Sequence, residues 1–146
     1  MTLIKWSPNP ISILNDVDNF IYSTINKDYN DFTADNINWI PKVDIEESEL
    51  SFYITVEIPG ISKKDINVSL HDNRLKISGE RKINSESNND NFHYKEIGNG
   101  KFKRSFNLPE SIDKNKIQAK FKDGLLSIEL SKYEIIKPKE KTIKIN

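Results

Sequence analysis

The chain has 146 residues, 36% of them hydrophobic and 30% charged, a balance that suits one modest domain with a small core and a well-solvated surface. Its 22 basic and 22 acidic residues give a formal net charge of zero, so no basic excess points to nucleic acid and no acidic excess to a polyanionic tail. Cysteine is absent, which excludes thiolate chemistry, disulfides and Cys-based zinc sites.

The start, MTLIKWSPNP, lacks an apolar signal-peptide core, and no apolar run approaches the roughly 18 residues of a membrane span. A soluble, cytoplasmic protein without an integral membrane segment is expected. Residues 1–40 read as a variable N-terminal arm. Pro8 and Pro10 break early structure, and from about Ile13 to Ile25 the residues Ile13, Leu14, Val17, Phe20, Ile21 and Ile25 recur at helical spacing. Ser12 is placed to cap such a helix. Two readings stay open: a terminal helix docked on its own domain, or a mobile amphipathic arm offering apolar surface to partners or other subunits. The following stretch, KDYNDFTADNINW, is polar and turn-rich but carries Tyr29, Phe32 and Trp39.

Pro41 opens a region of strands that runs to residue 132. Val43 and Ile45 alternate with Lys42 and Asp44; then Phe52, Ile54, Val56 and Ile58 share one face, with Tyr53, Thr55 and Glu57 opposite. Pro59-Gly60 ends that strand, because proline cannot donate to a sheet ladder and glycine permits the turn. Ile66/Val68/Leu70 follows, then a turn at His71-Asp72-Asn73, then Leu75/Ile77 ending at Gly79. Short strands at this spacing predict an antiparallel sandwich rather than βαβ units. RKINSESNNDN, residues 81–91, is a polar insert, and Phe92–Ile97 is a weak strand with Phe92 and Tyr94 on one face. After the turn Gly98-Asn99-Gly100, a strand carries Phe102, Phe106 and Leu108 and stops at Pro109. Arg104 falls on that strand's apolar face. A charge facing a core costs several kcal/mol unless paired, so Arg104 reaches a carboxylate, lies at an interface, or is turned outward by a bulge.

The clearest local signal is Ile117–Leu130, IQAKFKDGLLSIEL. Ile117/Ala119/Phe121 and Leu126/Ile128/Leu130 flank Asp123-Gly124, a pair that supplies the positive φ angles of a type I′ hairpin turn. Leu125 breaks the alternation. Residues 133–146 form a charged tail containing Pro138 and ending in Thr142-Ile143-Lys144-Ile145-Asn146. Ile143 and Ile145 point the same way from an extended strand, a pattern that can plug two adjacent pockets in another sheet.

Catalytic patterns are missing. Neither common glycine-rich phosphate loop is present, and His71 and His93 have no second histidine or carboxylate at ligand spacing. No nucleophile elbow occurs, and the carboxylates are scattered along solvent faces. The chain is expected to be no enzyme and to need no cofactor or metal.

Several stretches line up, in order, with one family. These are Val56-Glu57-Ile58-Pro59-Gly60, then Leu75-Lys76-Ile77-Ser78-Gly79-Glu80-Arg81, then Gly100-Lys101-Phe102-Lys103-Arg104-Ser105-Phe106-Asn107-Leu108-Pro109. Ala119-Lys120-Phe121-Lys122-Asp123-Gly124-Leu125-Leu126 and Ile143-Lys144-Ile145 complete the set. The sequence resembles the bacterial and plant small heat-shock proteins, the alpha-crystallin-domain chaperones, over about residues 41–146. One departure is that the tail ends one residue after Ile145.

The resemblance implies an all-β, immunoglobulin-like antiparallel sandwich over residues 41–132, with a helical or disordered N-terminal arm and an extended tail. It implies dimers that assemble into larger homo-oligomers. Residues 81–97, with Phe92 and Tyr94, would project onto the partner subunit, and Arg104 would join a charge network near the dimer interface. Ile143 and Ile145 would dock in a groove at the sandwich edge of a neighbouring dimer, near a hairpin marked by Ala119, Asp123, Gly124, Leu125 and Leu126. The function implied is an ATP-independent holdase whose arm binds unfolding clients and hands them to ATP-dependent chaperones. The alternative is a monomeric adaptor similar to the CS-domain cochaperones, binding a dedicated chaperone through a fixed surface.

Overall fold

Strands form wherever apolar and polar residues alternate, since a period of two places every second side chain on one face of a pleated sheet. A computed structural model describes residues 17–22, 24, 36–82, 93–134 and 142–146. Among them are β1 (Val43–Glu47), β2 (Ser51–Glu57), β3 (Ile66–His71), β4 (Arg74–Arg81), β5 (Gly100–Asn107), β6 (Ile112–Lys122) and β7 (Leu125–Lys132). All pair antiparallel, in a four-stranded sheet ordered β1-β2-β7-β6 and a three-stranded sheet ordered β3-β4-β5. The two sheets bury Phe52, Ile54, Val56, Leu75, Ile77, Phe102, Phe106, Ile128 and Leu130 between them. The expected β-sandwich is the fold.

The hairpin forms as its sequence dictates. Asp123 and Gly124 take φ of 54° and 78°, and Ile117, Ala119 and Phe121 face Leu130, Ile128 and Leu126. Leu125 breaks the alternation because it starts β7 on the outer face, half-exposed and opposite Glu57 and Lys122.

Some boundaries move. β4 runs past Gly79 to Arg81, because β5 supplies partners as far as Gly100. β6 begins at Ile112 rather than Ile117, with an irregularity between them where Lys114, Asn115 and Lys116 offer nothing to alternate. The weak strand at Phe92–Ile97 does not form over its described part: residues 93–99 carry no strand pairing, and Phe92 lies outside the described residues. A strand needs a paired neighbour, and among the described residues none pairs with this stretch.

The arm meets the domain in two places. Residues 17–22 and 24 are helical; Ile13, Leu14 and Ile25 lie outside the described residues. Phe20 is 1% exposed and seated in the core, edge-on to Phe52 at 5.8 Å and tilted to Phe106 at 6.3 Å. Thr24 Oγ1 donates 2.8 Å to the Phe20 carbonyl, satisfying its own buried hydroxyl within the helix. Val17 packs half-buried beside it, whereas Ile21 and Tyr22 face outward. The chain then returns along β5: the Asn38 N–H donates to the Lys101 carbonyl at 2.8 Å, and Trp39 bridges Phe102.

Candidate functional site

An edge strand has a neighbour on one side only, so its inward-facing side chains stay half-covered. Arg104 of β5 donates to the carbonyl of Pro41, just before β1. β3 and β6 are the outer strands at the other ends of their sheets. On β3 Ile66 and Val68, and on β6 Ile117 and Phe121, pack against the core yet remain half-buried; Leu70 and Ala119 are exposed. These edges carry accessible apolar side chains in alternating positions, the pattern that receives an extended segment.

The tail carries a matching pair. Ile143 is 80% exposed and Ile145 98%, and residues 142–146 have no strand pairing. Both isoleucines, one residue apart, are thus open to water.

The hairpin is pinned to the Pro59-Gly60 turn. The Ile58 N–H donates to the Gly124 carbonyl at 2.8 Å, and a Cβ at Gly124 would lie 2.9 Å from the Pro59 Cα. Glycine is required there twice, by its φ and by this contact. The glycine of the Leu75–Arg81 stretch has its own reason: a Cβ at Gly79 would collide with the Asp65 carbonyl and the Phe102 ring.

The stem of the 81–97 loop is tied by Arg81. Its Nε donates 2.7 Å to the Gly98 carbonyl, which Nη2 also contacts, and Nη1 donates 3.1 Å to the Pro59 carbonyl. The guanidinium lies 3.9 Å over the Trp39 ring. Trp39 Nε1 donates 3.0 Å to the Gly100 carbonyl, and its ring packs 5.1 Å from Phe102. One cluster therefore joins both ends of the loop to the end of the arm. Sequence reasoning did not assign Arg81 or Trp39 a role; the available signals were Arg81 at the start of a polar insert and an aromatic beside a domain boundary.

Arg104 faces inward, as its register predicts: it pairs with Ile77, between Phe106 opposite Leu75 and Phe102 opposite Gly79. The pairing runs through β5 without a shift, so no bulge turns the side chain out. Its Nη1 donates 2.9 Å to the Pro41 carbonyl, and the guanidinium lies 5.7 Å from the Phe106 ring centre. Tyr94 is 80% exposed with its hydroxyl on Glu96, and Ile97 is exposed beside it. His71 ends β3 at the surface, its Nδ1 3.3 Å from Asp72, and His93 is exposed. Among the described residues no group of three or more His, Asp or Glu is gathered as a metal site would need, and no helix is long and apolar enough to cross a membrane.

Residues 44–146 match the model of the Hsp20/alpha crystallin family. Small heat shock protein C4 of Rickettsia felis is 39% identical over 106 residues, covering 73% of this chain, and the 17.5 kDa class I heat shock protein of Glycine max is 38% identical over 72% of it. The match spans 64% of the Rickettsia protein's length and 69% of the soybean one's. Among solved structures, a small heat-shock protein from Xylella fastidiosa superposes with a TM-score of 0.64 at 36% identity, over 74% of this chain and 99% of that one. Heat shock protein 16.0 from Schizosaccharomyces pombe superposes with a TM-score of 0.69 at 28% identity over the whole of both chains.

Proposed function

The chain belongs to the Hsp20/alpha crystallin family, and on that premise we propose that it is an ATP-independent holdase of the cytoplasm. In this reading it captures partly unfolded proteins under heat or other stress, keeps them soluble, and passes them to ATP-dependent chaperones. The observation that supports the proposal is that one chain carries both two exposed tail isoleucines and half-covered apolar side chains on its β3 and β6 edges.

The tail of one subunit would lay Ile143 and Ile145 along the β3 and β6 edges of another, and a distinct high-order structure is described for the Xylella fastidiosa relative. Burying one isoleucine is worth about 1.5–3 kcal/mol, so each tail contact is weak and exchangeable. Repeated around a closed assembly, such contacts hold by avidity and still let subunits leave on heating. Within the dimer, residues 81–97 would pair on the partner's sheet, and Arg104 would contribute to the interface charges. Phe20 is the further element: while it fills the core it is closed to clients, and when the helix undocks it joins Val17 and Ile21 as apolar capture surface. Nothing in this cycle needs nucleotide; it runs on shifts between docked and undocked populations.

The test is solution mass by light scattering for the intact chain and for Ile143→Ala/Ile145→Ala, beside suppression of client aggregation without ATP. A large assembly that falls to dimers in the double variant is expected. A monomer in both samples would instead establish the adaptor reading, which the family match does not favour.

A further inference from the structure

Every second side chain of a strand points away from the core, so each sheet carries an outer face set by the residues that alternate with the buried ones. In the four-stranded sheet, rows of paired residues cross that face from β1 to β6. One reads Asp44, Thr55, Ser127 and Lys120, and the next Glu46, Tyr53, Glu129 and Gln118. A further row, at the hairpin end, reads Glu57, Leu125 and Lys122.

The face is graded in charge. Asp44, Glu46 and Glu57 stand exposed on β1 and β2, and Lys120 and Lys122 stand exposed on β6. The exception is Lys42, exposed just before β1. Between the two sides lie Thr55 and Ser127, with Tyr53 and Leu125 38% and 44% exposed. Glu129 is half-buried and accepts from Ser51 Oγ at 3.2 Å. Strands lie about 4.8 Å apart, so the acids of β1 and the lysines of β6 stand about 14 Å from each other, too far to pair within one chain.

Such a face is complementary to a second copy of itself. Turning a copy by half a revolution, about an axis in the face that runs parallel to the strands between β2 and β7, lays its β6 over β1 and its β1 over β6. Asp44 then stands over Lys120 of the second copy with Glu46 beside it, and the symmetry repeats the contact on the other side. Lys42 comes over Lys122 of the second copy, and Glu57, one strand away, offsets that like-charge approach. Thr55, Ser127, Tyr53 and Leu125 fill most of the middle, where they pack with little charge to desolvate.

We propose that the outer face of the β1-β2-β7-β6 sheet is an interface between two copies of this chain, packed face to face with Asp44 and Glu46 of each against Lys120 and Lys122 of the other. The proposal rests on the self-assembly proposed above, but not on the tail isoleucines or on client capture. From the strand spacing and rise the face is roughly 20 Å by 20 Å, about half of the roughly 800 Å² that each partner of a stable interface buries. Exposed ion pairs add little singly and are screened by salt. The contact therefore acts between copies already held in one assembly, at high effective concentration, and fixes how they are oriented.

The test uses the full-length chain with opposite charge changes. Asp44→Lys/Glu46→Lys makes the face mainly basic, and Lys120→Glu/Lys122→Glu makes it mainly acidic. On dilution, each variant alone is expected to lose mass in light scattering at a concentration at least about tenfold above that of the unsubstituted chain, because like charges then meet. An equal mixture of the two should regain the mass, since a basic face meets an acidic one. About 1 M salt, with a screening length of about 3 Å, should level all the samples. A second arm leaves every charge in place. The chain has no cysteine, so chains carrying Thr55→Cys are mixed with chains carrying Ser127→Cys and treated with a short bismaleimide. Cross-linking is expected at least about tenfold faster than when Asn67→Cys, on the outer face of the other sheet, replaces Thr55→Cys. A mixture that stays as small as its components, or equal cross-linking by the two partners, would overturn the proposal while leaving the assembly standing. So would an assembly whose mass is indifferent to both charge changes. A monomer at every concentration, without cross-links, would overturn the assembly as well.

Discussion

Arg81→Ala is the perturbation that probes the loop stem most directly. Truncation removes the donors to the Gly98 and Pro59 carbonyls and the cation 3.9 Å above Trp39. The part-buried hydrogen bond to Gly98 and the exposed one to Pro59 together are worth about 1–2 kcal/mol net, since a released carbonyl regains some water. The cation–π contact adds about 0.5–1 kcal/mol at a partly exposed site. A total loss of about 1.5–3 kcal/mol is expected. Arg81→Lys retains a cation over the ring but not the fork, so about half of the loss should remain. Urea unfolding at one fixed protein concentration measures both, because an assembling protein's stability depends on concentration. Trp39 gives a fluorescence signal from inside the cluster. A double-mutant cycle with Trp39→Phe should return a coupling of about 0.5–1 kcal/mol. Arg81→Ala losing less than about 0.5 kcal/mol, the usual range for an exposed surface change, would refute the clamp.

Other outcomes follow from the same geometry. Phe20→Ala removes a ring that is 1% exposed and should cost about 2–4 kcal/mol, below the usual full core value because the helix can undock. Thermal unfolding together with dye binding reads it, and an unchanged melting temperature would mean that Phe20 does not fill the core in solution. Gly124→Ala forces an αL alanine whose Cβ lies 2.9 Å from the Pro59 Cα, for a loss of about 2–4 kcal/mol in chemical unfolding. A loss under about 1 kcal/mol would show that the hairpin and the Pro59-Gly60 turn are not locked together. Arg104→Ala deprives the Pro41 carbonyl of its donor and should cost about 1–3 kcal/mol, with smaller assemblies by light scattering at low concentration. Unchanged stability and mass would remove Arg104 from both core and interface roles.

Several elements were legible in the sequence because their causes are local. Alternation at Phe52–Ile58, Leu75–Ile77 and Leu126–Leu130 decides strand and face together, since each residue's side is set by its neighbours two positions away. Asp123-Gly124 decides a hairpin because only residues tolerant of positive φ can make that turn. Arg104's inward direction likewise followed from counting along the strand.

What the sheets' stacking decided could not be counted off in this way. That β3 and β6 are edges, and so keep their apolar faces half-covered, depends on strand order, which joins residues far apart in the chain. Arg81, Gly98, Pro59 and Trp39 meet only because the arm returns along β5, and no local period records that contact. Phe20 fits an amphipathic helix equally well docked or free; the gap between Phe52 and Phe106 chose the docked state. The stretch 93–97 shows the converse, a weak local pattern that no described strand of the chain pairs with, since alternation alone supplies no backbone partner.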